Sequence, residues 1–139
     1  MFNSHYKALK HKIESLALKI NAPDDLLPTF IRSDDGALPH IVIDENGIFH
    51  LIVVERGQEI DHRSTKSEDE LLYWVFVNIT FSMACKFELH NRIPNQDVRR
   101  LLFKHQETLL GKLSEAWRLR EIDAHNSILQ RYPFNDEQA

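Results

Sequence analysis

The sequence predicts an α+β domain, with an N-terminal helix, a three- to four-stranded antiparallel meander and three C-terminal helices packed on the sheet. Three observations carry this. Apolar residues recur at helical spacing over residues 3–20. The pattern then switches to period two with β-branched residues over 28–66, and it returns to helical spacing from Ser67 onward. A chain of 139 residues that is 42% hydrophobic fits one domain over 1–139, divided into helix (1–21), meander (28–66), helical part (67–131) and tail (132–139). Only four glycines and a charged fraction of 27% argue against disorder.

In the first helix Tyr6, Leu9, Ile13, Leu16 and Ile20 make one apolar stripe, while Lys7, Lys10, Lys12 and Lys19 lie elsewhere. Such a basic amphipathic helix packs against its own domain more often than against a membrane or a partner. Pro23 and Pro28 end the pattern. Thr29–Ile31 is a short strand candidate, followed by a turn at Ser33-Asp34-Asp35-Gly36. His40–Ile43 is the second strand, and Asn46-Gly47 signals a two-residue hairpin. Ile48–Glu55 is apolar on both faces and belongs in the centre of the sheet. Arg56-Gly57-Gln58 turns the chain, and the polar Glu59–Thr65 suits an edge.

Ser67 and Glu70 have capping-box spacing at the start of the longest helix. Twelve of the fifteen residues from Leu71 to Cys85 are apolar and cover nearly the whole circumference, so this helix is buried on most sides. A membrane span needs about 20 apolar residues, and Asn78, Thr80 and Ser82 interrupt this run, so a core helix is the expectation. Pro94 stops it, and Asn95 or Gln96 starts a helix over 96–110 with Gly111 as its C-cap. Ser114 caps a last helix over 115–131, apolar at Trp117, Leu119, Ile122, Ile128 and Leu129. The tail, with Pro133, Phe134 and Asp136, reads as docked.

Charge is uneven along a chain of net −4. Residues 22–70 carry twelve acidic groups against four basic ones, whereas residues 1–21 carry four lysines and one glutamate. The acidic middle argues against nucleic acid as a direct ligand, because phosphates attract Lys and Arg. It suits a basic protein partner. No continuous apolar leader is visible, which makes the cytoplasm the default location. Cys85 lies inside the apolar run and reads as a small core residue.

No reaction is specified. There is no HExxH, CxxC, GxSxG or phosphate loop. His40, His50 and His62 fall on three successive predicted strands, and a zinc-type cluster would need register, face and depth all to agree. A small metal-dependent enzyme built on those three is one alternative reading. A homo-oligomeric scaffold assembled through the N-terminal helix is another. Glu88 and Arg92 are spaced as an i,i+4 pair; with Glu55, Arg56, Arg99 and Arg100 they read as a structural polar network.

The runs PHIVIDENGIFHLIVVERGQE, ELLYWVFVNITFSMACKFELHNR and QDVRRLLFKHQETLLGKL, with Trp117 and Tyr132-Pro133-Phe134, together resemble the immunity protein 63 family of bacterial polymorphic toxin systems. The resemblance covers residues 38–136 and rests on order and spacing rather than on one short motif. It implies a non-catalytic protein, with no cofactor, that binds and neutralises a cognate toxin domain. A basic toxin such as a nuclease would fit the acidic segment. Asp34, Asp35, Asp44, Glu45, Glu59 and Asp61 are the candidate contact residues, with no membrane and no direct nucleic acid involved.

Overall fold

The computed structural model describes residues 4–32 and 36–138. Its elements are α1 (Ser4–Lys19), β1 (Thr29–Phe30), β2 (Gly36–Ile43), β3 (Phe49–Glu55), β4 (Gln58–Thr65), α2 (Glu68–His90), α3 (Val98–Gly111) and α4 (Glu115–Arg131). Short 3-10 turns occupy Asp24–Leu26 and Asp136–Gln138. This is the expected α+β class. The chain divides into two compact units, Met1–Val75 and Phe76–Ala139, and α2 runs through the division.

In the first unit α1 buries Tyr6, Leu9, Ile13 and Ala17, with Ile20 just beyond its end. Leu16 is half-buried, and Ala17 sits at the contact instead. The Tyr6 hydroxyl accepts from the Ile43 N–H at 2.8 Å and donates to its carbonyl at 3.3 Å, so one side chain ties the helix to the end of β2. Lys12 reaches Glu68 at 2.7 Å in the first turn of α2. Both side chains are well exposed, so the pair contributes little.

The sheet order is β1-β2-β3-β4. β2–β3 and β3–β4 are antiparallel, as expected, but β1 pairs with β2 in parallel, Thr29 opposite His40 and Phe30 opposite Ile41. Ile31, directly after β1, has positive φ, and its N–H reaches the Ile41 carbonyl at 2.9 Å. The two-residue mirror-image turn also lies elsewhere than expected. Asn46 is not at positive φ. Gly47 donates to the Asp44 carbonyl, and the Asp44 carboxylate accepts from the Asn46 and Ile48 N–H groups, so this connection is longer and aspartate-capped. The turn with positive φ at both central residues is Arg56-Gly57, at 53° and 75°, closing Glu55 onto Gln58. β3 is internal and β4 is the edge, as its composition suggested.

Side chains alternate across the sheet. Ile41, Leu51 and Arg63 stand in one row, and Ile41 and Leu51 are fully buried. The other face carries the row His40, Ile52, His62 and the row Val42, His50, Ser64.

Ser67, in the first unit, does cap α2, accepting from the Glu70 N–H at 3.1 Å. The buried positions are Leu71, Leu72, Tyr73, Val75, Phe76, Ile79, Thr80, Ala84 and Glu88. Trp74 and Val77 are only half-buried, and Phe81 is 48% exposed, so the helix is less fully enclosed than its composition suggested. Among the described residues no helix is long and apolar enough to cross a membrane. Phe76 stacks on Trp117 with ring centroids 6.1 Å apart. Asp97, not Asn95 or Gln96, caps α3, and Ser114 caps α4 as expected. Gly111 remains helical rather than forming a left-handed C-cap. A Cβ there would meet Arg118 Cδ at 2.8 Å, part of a flexible side chain that can move aside.

Candidate functional site

The candidate acids do not all share one surface. Asp34 and Asp35 lie outside the described residues. Asp44 and Glu45 sit in the β2–β3 connection, where Glu45 is exposed and Asp44 half-buried. Glu59 pairs with Val54 and Asp61 with Val53, across a register shift in β4, so these two acids point to opposite faces of the sheet. Asp61 accepts from its neighbour's N–H, that of His62, and lies 3.8 Å from Arg63. Asp44 and Glu59 belong to the face that carries the histidines.

There the side chains form a chain of contacts. Asp44 Oδ2 is 2.9 Å from His50 Nε2, His50 Nδ1 is 2.9 Å from His62 Nε2, and His62 Nδ1 is 3.0 Å from Glu59 Oε1. The Ser64 hydroxyl is 3.0 Å from His50 Nδ1. The hydrogen bond from His50, with backbone N–H donors behind it, holds the Asp44 carboxyl below its ordinary range. His40 shares the face, but β3 lies between it and His62, about 10 Å of sheet. It is 7% exposed, its Nδ1 has no hydrogen-bond partner among the described residues, and burial lowers its pKa. So two of the three histidines meet. Among the described residues no group of three or more His, Cys, Asp or Glu side chains could hold a metal ion.

The residues expected to form a polar network are placed as follows. Glu55 and Arg56 are exposed at the β3–β4 turn. Glu88, 4% exposed, receives Arg92 through two hydrogen bonds of 2.8 and 3.0 Å, which lower the carboxyl pKa and raise that of the guanidinium. Arg99 and Arg100 turn to the tail. Arg99 bonds both oxygens of Asp97 and donates to the Tyr132 and Pro133 carbonyls at 2.8 and 2.9 Å. Arg100 pairs with Asp136 and lies 4.1 Å over the Phe134 ring. Asp97 also accepts from the Asn135 N–H, while its own N–H donates to Asp136. The tail is therefore docked, as its composition suggested.

A second polar cluster escaped the sequence reading. On α4 the buried line is Trp117, Glu121 and His125, at steps of four residues. Leu119 and Ile128, two of the apolar positions of this helix, are exposed. His125 Nδ1 is 2.7 Å from Glu107, its Nε2 is 3.1 Å from the Gln106 amide oxygen, and Glu121 lies 3.6 Å away. The Gln106 amide nitrogen donates to the Val77 carbonyl at 3.1 Å and to Thr80 at 3.3 Å. Phe103 stacks flat on the imidazole at 3.9 Å. Polar residues at steps of four among apolar ones were the available signal.

Buried polar groups thus partner one another on α3 and α4. Burial raises the pKa of the Cys85 thiol, which makes it less reactive. Against known families, the model described as Immunity protein 63 matches residues 45–127. The chain belongs to the immunity protein 63 family. The matched stretch runs from the β2–β3 turn to within α4, so it includes the His50–His62 contact and the buried His125 cluster. No curated protein and no solved structure matches the chain.

Proposed function

We propose that this chain is the immunity component of a bacterial polymorphic toxin system and acts in the cytoplasm. It binds its cognate toxin domain stoichiometrically and performs no reaction of its own. Membership of the immunity protein 63 family is the observation that carries this reading. The contact region we infer is acidic, with Asp44, Glu45 and Glu59 at the histidine-bearing side of the sheet and Asp61 on the opposite face of its edge strand; Asp34 and Asp35, outside the described residues, are the further candidates. Such a surface favours a basic toxin, of which a nuclease is the leading chemical class, because opposite charge accelerates encounter.

Two measurements test this separately. Expression of the chain should protect cells producing the toxin encoded beside it, and absence of protection removes the immunity role. The triple variant Glu45→Lys, Glu59→Lys, Asp61→Lys should slow association with that toxin and flatten its dependence on salt. An unchanged association rate would move the contact off these acids and leave the role intact.

A further inference from the structure

The contact between His50 and His62 poses a proton-counting problem. His50 Nε2 faces an Asp44 carboxylate oxygen at 2.9 Å, an acceptor, so this nitrogen carries the hydrogen. His62 Nδ1 faces Glu59 at 3.0 Å, and the same reasoning puts its hydrogen there. With one hydrogen per ring placed there, the other nitrogens, His50 Nδ1 and His62 Nε2, face each other as lone pairs. These two lone pairs stand 2.9 Å apart, with rings inclined by 63°. Ser64 can donate its single hydroxyl hydrogen to His50 Nδ1 at 3.0 Å, which still leaves the His62 lone pair facing an acceptor. The arrangement is satisfied only by an electron-poor centre between the two nitrogens.

We propose that His50 Nδ1 and His62 Nε2 chelate a divalent transition-metal ion of the zinc class. Imidazole nitrogens suit such ions. Two of them on one tetrahedral ion stand about 3.3 Å apart, so the rings need to open by only about 0.4 Å. The carboxylates already occupy the positions that orient metal-bound histidines, each receiving the far N–H of one ring. Their side chains are partly exposed, 21% for His50 and 40% for His62, which leaves a path for the ion and room for water in the remaining positions. Two protein nitrogens make this an open site, distinct from a three-ligand catalytic centre. It stands on geometry alone and does not depend on the toxin-binding reading.

The test is titration of tag-free, chelator-treated protein with Zn2+ by calorimetry, and with Co2+ followed by its visible spectrum. One ion should bind per chain. His50→Ala and His62→Ala should each weaken binding at least tenfold, and Glu59→Gln should weaken it by about 10- to 100-fold. His40→Ala should leave it unchanged. Absence of binding to the wild-type chain overturns the site. Binding that survives both His50→Ala and His62→Ala also overturns it.

Discussion

Asp97 and Arg99, two residues apart, close a ring at the start of α3. The Asp97 carboxylate accepts the Arg99 backbone N–H at 3.0 Å and grips the same residue's guanidinium at 2.8 and 3.2 Å. One side chain thus caps the helix and anchors the arginine that holds the tail carbonyls. Replacing Asp97 with Ala should destabilise the chain by about 2 kcal/mol or more, the upper range for a lost cap, because Arg99 also loses its partner. Asp97→Asn keeps a capping acceptor and should cost clearly less. Urea unfolding of both variants checks this; equal losses would separate the cap from the ion pair.

The same carboxylate should govern acid sensitivity. The hydrogen bond from Arg99 is the largest of the effects that hold Asp97 well below its ordinary value of 3.8. Arg92 does the same for Glu88, and Arg100 for Asp136. Each pKa is lower in the folded chain than in the unfolded one. The stabilisation is therefore complete above the ordinary carboxylate range and fades as pH falls below about 4. Stability measured from pH 6 down to 2 should fall in that window, and Asp97→Asn should flatten the fall. A parallel curve for the variant would exclude Asp97 as a source.

Phe76 is fully buried and stacks on Trp117. Truncation to Ala should cost about 3–5 kcal/mol, the range for a large aromatic removed from a packed site. The denaturant midpoint gives the number, and Trp117 fluorescence should shift with it. A loss below about 1 kcal/mol would place Phe76 outside the core.

The His125 cluster should behave as a unit. Gln106→Ala removes the 3.1 Å partner of His125 Nε2, while the Val77 carbonyl keeps the Thr80 hydroxyl at 3.3 Å, and a buried polar group left orphaned costs about 1–3 kcal/mol. Combining Gln106→Leu with His125→Phe removes both ends of one bond and should cost less than the two single changes added together. A double-mutant cycle measures this, and strict additivity would show the two side chains to be independent.

At the β3–β4 turn Arg56 takes positive φ, which a side chain of its kind adopts at a cost. Arg56→Asn should raise stability by a few tenths to about 1 kcal/mol, and Gly57→Val should lower it by more than about 1 kcal/mol. Thermal melts of the two variants should move in opposite directions.

The elements that were legible before the structure are those whose cause is local. Spacing of apolar residues located every helix, period-two patterning located β3 and the edge strand β4, and the Ser67 and Ser114 caps followed from side-chain chemistry within a few residues of their targets. The family, too, was readable from the order of those segments. Where two local signals competed, pattern alone misled. Asn46-Gly47 is a good mirror-image turn pair, but Asp44 captures two N–H groups there and makes a different turn, while Arg56-Gly57 takes the mirror-image form.

What only the tertiary structure decided depends on partners far apart in sequence. Parallel pairing of β1, the face shared by His40, His50 and His62, and the choice of Asp136 by Arg100 all follow from register and docking. The burial of Glu121 and His125 in place of Leu119 and Ile128 has the same origin. A polar residue enters a core only when another segment supplies its hydrogen bonds, and here Gln106 and Glu107 on α3 supply them. Composition and period record what each residue prefers in isolation; the partner that overrides that preference exists only once the chain has folded.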